Sequence, residues 1–148
     1  MNPRRQDWPA MPSASLAHAL DVIGDRWTLR IVASLLDGPK RFGELTESLP
    51  RIAPNVLTTR LRQLERDGLV VATPYSQRPL RLAYALSESG SELGGAISLL
   101  SAWGARQTGD IEGPVHESCG TALETRLYCP TCERVSEDTG TADTVRWL

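Results

Sequence analysis

Residues 52–70 have the sequence IAPNVLTTRLRQLERDGLV, which contains the signals for both ends of one amphipathic helix. Pro54 suits the first helical position, where its missing N–H costs nothing, and Gly68 suits the left-handed residue that follows the last turn. The leucines recur at spacings of four and three, which puts them on one narrow face: Leu57, Leu61 and Leu64. The stretch therefore predicts a helix over 54–67 whose opposite face is polar and basic.

After Gly68 the pattern changes from helical to extended. The runs LVVATPY (69–75) and LRLAYALS (80–87) are β-branched or alternating, and SQRP separates them. They predict a two-stranded hairpin with Arg78 and Pro79 at its tip. Ser87 then caps a long helix whose apolar side is too broad for one small layer of core: Leu93, Ala96, Ile97, Leu99, Leu100 and Trp103.

Three helical segments precede the 52–70 stretch. SLAHALDVIG (15–24) ends at a glycine, DRWTLRIVASLLDGP (25–39) begins with Asp25 as the predicted N-cap, and RFGELTESLP (41–50) gives a short helix. The resulting order is helix, helix, short helix, helix, hairpin, helix, which is that of a winged helix-turn-helix. A helix fits the DNA major groove and a wing reaches the adjacent minor groove or backbone. The alternative is an α+β domain whose polar helix face is merely solvated.

The charge distribution favours a polyanion-binding surface. Residues 39–82 carry eight Lys or Arg against four acidic residues, whereas residues 111–148 carry three Arg against seven acidic residues, although the whole chain has a net charge of only −2. No apolar run suits a signal peptide or a membrane span. Three cysteines, two of them in a CxxC, favour a reducing compartment. We therefore expect a cytoplasmic protein, associated with the nucleoid through DNA.

Four blocks carry a resemblance to a known family: IGDRW (23–27), GPKRFGEL (38–45), the 52–70 stretch and YSQRPLRLAYALSESG (75–90). From about Ser15 to Trp103 the chain resembles the HxlR family of prokaryotic, MarR-like winged helix-turn-helix transcriptional regulators. The resemblance implies a homodimer that binds a palindromic double-stranded DNA operator and controls nearby genes, and we expect a repressor. It places the recognition helix at 54–67 and the wing at 74–82.

The resemblance and the face analysis together give the expected DNA-binding residues. Asn55, Thr58, Thr59 and Arg62 point away from the leucine face and are the candidates for groove contact. Arg60 flanks that face, where it holds either a phosphate or an internal carboxylate, and Arg66 is a phosphate contact or a solvated charge. Arg41 matches the first helix of the helix-turn-helix motif, and Arg78 matches the wing tip. The full set is Arg41, Asn55, Thr58, Thr59, Arg60, Arg62, Arg66 and Arg78.

The chain departs from the family at its first helix. Several members sense electrophiles or oxidants through a cysteine there, but the aligned stretch, Ala14 to Leu20, has none. A thiol sensor in this chain would have to use the C-terminal cysteines. The effector is thus either a small molecule or a redox signal, which the sequence does not identify.

All three cysteines lie near the C-terminus, in HESCGTALETRLYCPTC (116–132). The spacing is His-x2-Cys, nine residues, then Cys-x2-Cys, and two such pairs on tight turns suit a tetrahedral zinc. The intervening TALETRLY alternates and predicts a strand between the turns. The expected structural zinc ligands are His116, Cys119, Cys129 and Cys132. A redox dithiol and a tail of unliganded thiols remain open, whereas the order His-Glu-Ser does not fit a zinc deaminase.

The predicted fold class is α+β and mainly α, a winged helix-turn-helix with a small zinc-ribbon-like C-terminal hairpin. Its parts are a flexible arm over 1–14, the winged domain with dimerisation helices over 15–110, a Cys₃His ribbon over 111–135, and a polar tail over 136–148. We expect no catalytic residues and no membrane association. The alternative function is a small zinc metalloenzyme or a zinc-ribbon module for protein interaction.

Overall fold

The computed structural model describes residues 14–109, 113–124 and 126–136. The 1–14 arm and the 136–148 tail of the sequence prediction lie outside these ranges, except for Ala14, which starts the first helix, and Ser136, which ends the last strand. The helices are α1 Ala14–Ile23, α2 Thr28–Leu36, α3 Phe42–Ser48, α4 Pro54–Arg66 and α5 Glu88–Thr108. The strands are β1 Lys40–Arg41, β2 Val70–Gln77, β3 Leu80–Leu86, β4 Leu127–Cys129 and β5 Arg134–Ser136.

The short polar residues between α1 and α2 explain where α2 begins. The Asp25 carboxylate accepts hydrogen bonds from the backbone N–H groups of Trp27 at 2.8 Å and Thr28 at 3.2 Å. It also accepts from the Thr28 hydroxyl, so the carboxylate satisfies donors that the first turn leaves without intrahelical partners. The sequence predicts Asp25 as the N-cap, but the N-cap of α2 is Trp27 and the helix starts at Thr28, so Asp25 instead accepts these hydrogen bonds from two residues before the cap.

The helix predicted from the 52–70 stretch is present as α4. Pro54 is its first residue, and Gly68 follows it with φ +72°, a left-handed conformation that glycine adopts without the steric cost of a Cβ. The three leucines of this helix are the most deeply buried part of the core, together with residues from α2 and α3: Ile31, Val32, Leu45, Leu57, Leu61 and Leu64. Full burial of each such side chain stabilises the fold by roughly 1.5–3 kcal/mol. The helix-turn-helix is thus assembled around α4.

The wing is the hairpin of β2 and β3, extended by β1 into an antiparallel sheet of order β1-β3-β2. The sequence pattern does not predict β1, because two residues are too few for any periodicity. In the structure Lys40 pairs with Tyr84 and Arg41 with Ala83, immediately before α3 begins. The backbone hydrogen bonds of β1 therefore tie the start of the helix-turn-helix to the wing.

The last helix of the winged domain is held closely against the wing. The Ser87 hydroxyl accepts from the Gly90 N–H at 3.0 Å and donates to the Gly68 carbonyl at 2.6 Å, so the predicted cap also links α5 to the end of α4. A Cβ on Gly90 would lie 2.1 Å from the Leu69 carbonyl oxygen, closer than any side chain tolerates. Within the described ranges, no helix is long and apolar enough to cross a membrane.

Candidate DNA interface and cysteine cluster

The outer face of α4 presents the predicted groove-contacting residues. Asn55, Thr59 and Arg62 are exposed and Thr58 is half-buried. The hydroxyls of both threonines donate to backbone carbonyls one turn earlier, at 2.9 Å, so their protons are already used within the helix. Each threonine keeps its methyl group and its oxygen lone pairs for contact. These groups suit a thymine methyl or a base amino donor in the major groove, not a phosphate, which offers no proton.

The three arginines of α4 have different surroundings. The Nε of Arg60 lies 3.4 Å from Oδ1 of Asp25, so Arg60 holds the internal carboxylate that caps the turn before α2. The Nη2 of Arg66 donates to the Gln63 side chain at 2.5 Å near the end of the helix. Arg62 is exposed and forms no ion pair within the part of the chain that the structure describes. The geometry therefore separates Arg62 from the other two as a group available for DNA.

Arg41 joins the helix-turn-helix to the wing through its side chain as well as its backbone. Its guanidinium lies over the Tyr75 ring, 4.5 Å from the centroid, and its backbone N–H donates to the Glu44 carboxylate at 2.6 Å. An open cleft of about 590 Å³ lies beside this contact, between α3 and the wing, and Arg81 contributes to its wall. Arg78 is exposed at the wing tip. Arg41, Arg78 and Arg81 thus lie along the edge formed by α3 and the wing.

Both α1 and the C-terminal half of α5 carry large apolar side chains that the described residues leave exposed. No residue of α1 is buried, and in α5 only Gly90 is. The exposed apolar side chains come from both helices: Leu16, Leu20, Leu99, Leu100 and Trp103. Exposed apolar side chains in such number on a helix often mark a protein interface. These are the two helices that the sequence predicts for dimerisation.

The first half of the cysteine cluster is a tight turn closed by backbone hydrogen bonds. The His116 N–H donates to the Thr121 carbonyl at 2.8 Å, and the Gly120 N–H donates to the His116 carbonyl at 2.7 Å. The turn brings Nδ1 of His116 to 3.3 Å from Sγ of Cys119. The side chain and then the backbone of Thr121, through hydrogen bonds to the sulfur, lower the pKa of the Cys119 thiol below its usual value.

The second half is the hairpin of β4 and β5, in which Cys129 pairs with Arg134. The backbone N–H groups of Cys132 and Thr131 point at the Cys129 sulfur and lower the pKa of that thiol, and the Cys132 thiol donates to it as well. The pKa of Cys132 is raised, because its proton is held by Cys129 and a second negative charge beside it is unfavourable. All three cysteines are free thiols.

The cluster differs from the prediction in two respects. The continuous strand expected over residues 121–128 is not formed within the described residues: Ala122 makes an isolated bridge to Val115, and β4 begins at Leu127. Each turn closes on its own neighbours, so the unit is two local hairpins. Among the described residues, no three metal-binding side chains are grouped as a metal site, so the zinc prediction stays a prediction.

The comparisons with known proteins agree with this architecture. Residues 22–112 match the family model described as HxlR-like helix-turn-helix, which is more than half of the chain. The chain belongs to the HxlR-like helix-turn-helix family. The HxlR-like region therefore runs from the end of α1 through α5 and stops before His116, so the cysteine cluster lies beyond it.

Relatives of this HxlR-like chain are named as transcriptional regulators. It is 39% identical over 122 residues to the uncharacterized HTH-type transcriptional regulator Rv3095 of Mycobacterium tuberculosis, covering 80% of this chain and 77% of the relative. It is 39% identical over 99 residues to YtcD of Bacillus subtilis, covering 67% and 79%. The crystal structure of YtcD superposes with a TM-score of 0.60 over 64% of this chain and 96% of that one.

Two further structural neighbours have been solved in a reduced form. The redox regulator HypR in its reduced form is 34% identical, with a TM-score of 0.60, and covers 66% of this chain and 95% of its own. The reduced form of YodB from B. subtilis is 34% identical, with a TM-score of 0.57, and covers 68% and 97%. This HxlR-like chain is a DNA-binding transcriptional regulator and not an enzyme.

The structure adds two residues to the predicted interface of the HxlR-like domain. Asp25 is predicted only as a cap. Its ion pair with Arg60 could not be predicted, because the two residues are far apart in the sequence and no local pattern relates them. Tyr75 supports Arg41 across the sheet, and its place in YSQRP, an aromatic residue near a basic one, is the sole sequence signal for it. Each fixes the position of an arginine that the sequence predicts for DNA binding.

Proposed function

We propose that this HxlR-like regulator is a cytoplasmic homodimer that represses transcription by binding a palindromic operator in double-stranded DNA. The observation that carries the proposal is the division of α4. Its leucines fill the core, while its opposite face presents Asn55, Thr59 and Arg62 to solvent. A helix anchored in this way is rigid enough to read base edges, and its free polar groups match those that bases offer in the major groove.

The proposed contacts divide into those that read bases and those that hold the backbone. Asn55, Thr58, Thr59 and Arg62 enter the major groove, and an arginine there prefers the O6 and N7 acceptors of guanine. Arg41, Arg66 and Arg78 lie at the margins of this surface and hold phosphates, which position the domain without specifying sequence. Arg60 supports the interface from within, because its guanidinium is engaged with Asp25.

Dimerisation is proposed through the apolar face of α1 and α5. A two-fold axis at this face places two copies of α4 in successive major grooves, about 34–36 Å apart, which matches the two halves of a palindrome. Covering Leu100 and Trp103 also removes apolar surface that is costly to leave in water. The repressor role follows in this proposal from occupancy of promoter DNA.

The proposal is tested by selecting DNA with the purified full-length protein. Fragmented genomic DNA is bound at physiological salt, recovered and sequenced, and the enriched fragments are then measured individually by fluorescence anisotropy. We expect an inverted repeat with half-sites about 10–10.5 base pairs apart, and specific affinity at least ~10³-fold above that for random DNA. Uniform recovery of all fragments would contradict sequence-specific binding. Reporter expression that falls when the protein is produced would support repression over activation.

The effector is proposed to be a small molecule or an oxidant. HypR is a redox regulator and YodB has been solved in a reduced form, and redox chemistry in this chain would have to use the C-terminal thiols, because α1 has no cysteine. The Cys₃His cluster is proposed as a structural zinc site and not a catalytic one. Four protein ligands leave no coordination position for a substrate or a reactive water.

A further inference from the structure

The two hairpins beyond α5 repeat one backbone pattern. In the first, His116 and Cys119 are followed by Gly120, and in the second, Cys129 and Cys132 are followed by Glu133. Gly120 has φ +69° and Glu133 has φ +52°, so the residue after each second member is left-handed. His116, Cys119 and Gly120 precede Cys129, Cys132 and Glu133, respectively, by the same number of residues. The second turn is therefore a structural repeat of the first.

The hydrogen-bond register of the two hairpins is also the same. His116 is joined to Thr121 by the hydrogen bond of its N–H, and Cys129 is paired with Arg134 in the ladder of β4 and β5. Both partners are five residues after the first member of the pair. The equivalence therefore extends from the turn into the strands that flank it.

A left-handed residue is unusual when it is not glycine. Glu133 is one of two such residues within the described ranges, the other being Arg51. The left-handed conformation is sterically unfavourable for a residue with a Cβ. Interactions outside Glu133 itself must therefore favour this turn. In the first hairpin this geometry brings the side chains of His116 and Cys119 together.

The spacing of the first pair matches that of two ligands on one metal ion. Tetrahedral bonds of ~2.3 Å to sulfur and ~2.0 Å to nitrogen put the two atoms about 3.5 Å apart. Nδ1 of His116 and Sγ of Cys119 are 3.3 Å apart. Cys129 and Cys132 occupy the equivalent positions of the repeated turn.

The hairpins have no core of their own. None of the described side chains between residues 113 and 136 is fully buried, and large apolar ones are exposed on both hairpins: Val115, Leu123, Tyr128 and Val135. A segment this small cannot be held by burial alone and usually needs a metal or disulfides. A Cβ added at Gly113 would lie 3.6 Å from the Cβ of Ala105, so the first hairpin starts beside α5.

We propose that the two turns close on each other around one zinc ion, held by Nδ1 of His116 and the sulfurs of Cys119, Cys129 and Cys132. The three thiols lose their protons to solvent on binding, His116 stays neutral, and the site carries a net charge of −1. Closure brings the exposed apolar side chains of the two hairpins together. The site is an addition to the HxlR-like region, which ends before it, and it does not depend on the proposed operator binding.

Metal content tests the site directly. The full-length protein is purified without chelators, its zinc is measured by elemental analysis, and the zinc is then replaced by cobalt. We expect one zinc per chain, and a cobalt spectrum with strong thiolate charge transfer and tetrahedral d–d bands. Cys132→Ser and His116→Gln should each lose most of the metal and weaken the charge-transfer band, while His18→Gln, which alters the exposed histidine on α1, should keep both.

Several results would overturn the site. Zinc below about a tenth of an equivalent, with three thiols titratable in the native protein, would mean unliganded cysteines. A disulfide between Cys129 and Cys132 in protein isolated under a reducing atmosphere would indicate a redox pair instead. Full zinc retention by Cys132→Ser and His116→Gln would place the metal elsewhere. Far-UV circular dichroism of each variant checks that the winged domain keeps its helices, so loss of metal is not confused with loss of the fold.

The left-handed turn gives a second, independent test. Glu133→Gly removes the steric cost at that position and should raise zinc affinity by about fivefold, measured by competition with a chromogenic chelator. Glu117→Gly is the matched control, because Glu117 is an exposed glutamate in the first turn without a positive φ. It should leave the affinity unchanged or lower it. Equal effects of the two substitutions would contradict the proposed role of the repeated turn.

Discussion

The residues of the interface differ in whether their polar groups are already engaged. Thr58 and Thr59 have donated their hydroxyl protons to the helix backbone, and Arg60 is engaged by Asp25, whereas Arg62 makes no ion pair within the described ranges. A free guanidinium can form the bidentate contact that distinguishes guanine from other bases. The hydrogen bonds of Thr58 and Thr59 and the ion pair of Arg60 instead hold in place the helix from which the Arg62 guanidinium projects.

Arg62→Ala is expected to lower operator affinity by about 1–3 kcal/mol and to relax specificity at one position of the site. Arg78→Ala is the comparison, because Arg78 at the wing tip is proposed to hold a phosphate. Its loss should weaken specific and random DNA alike and reduce the salt slope by about one. Fluorescence anisotropy across a salt series, with single-base operator variants, measures both. Wild-type affinity in the double variant would exclude this surface as the interface.

Arg60→Ala is expected to act on stability and not on base specificity. The pair with Asp25 is partly exposed, so a double-mutant cycle with Asp25→Asn should give a coupling of about 0.5 kcal/mol in urea unfolding. Asp25→Asn alone keeps an oxygen for capping the turn before α2. If Arg60→Ala changed the preferred base at one operator position, Arg60 would be a base contact and the pair with Asp25 a feature of the unbound protein alone.

At the scale of elements, the sequence predicts those whose signals are local. The predicted caps Asp25 and Ser87, and the pairing of Pro54 with Gly68, locate helix ends within a few residues of the observed ones. The two-residue β1 cannot be predicted in this way, because its formation depends on β3, more than forty residues away.

The same distinction applies to the candidate site. The outward face of α4 follows from helical periodicity, since the buried leucines determine which residues point away from the core. The pairing of Arg60 with Asp25 and the stacking of Arg41 on Tyr75 depend on tertiary packing, which periodicity does not contain. The continuous strand predicted after Cys119 fails for a related reason: alternation does not reveal that each turn closes on its own flanks.

Gly90→Ala tests how closely α5 must approach the end of α4. The new methyl group would overlap the Leu69 carbonyl, so we expect a loss of about 1–3 kcal/mol in the free energy of unfolding. Gly43→Ala is the matched control, because a Cβ at that helical glycine meets nothing within 4 Å. It should be neutral or stabilise by up to ~1 kcal/mol. Both are measured by urea unfolding at one protein concentration, and equal effects would contradict the packing described.

For the whole molecule, the apolar side chains of α1 and α5 are the feature that the described residues leave exposed. Leu100→Glu puts a charge among them and should convert the proposed dimer to a monomer, with operator affinity falling by about 100-fold or more because the two half-sites are no longer bound together. Val71→Glu is the control, since Val71 and Leu100 are both 51% exposed but Val71 lies on the wing. Sedimentation velocity and anisotropy measure the two effects. A wild-type protein that is monomeric both alone and on operator DNA would exclude the dimer.

The pairing of β1 with β3 has a consequence for how an operator can be released. Since β1 and the stacking of Arg41 on Tyr75 fasten the wing to α3, we expect the winged domain to move as one block. In the proposed dimer, a signal would then act on how the two winged domains are rotated and spaced relative to each other along the DNA. One base pair inserted between the half-sites shifts them by ~3.4 Å and rotates them by roughly 35°. Operators with altered spacing should therefore reproduce the induced state in the absence of any effector.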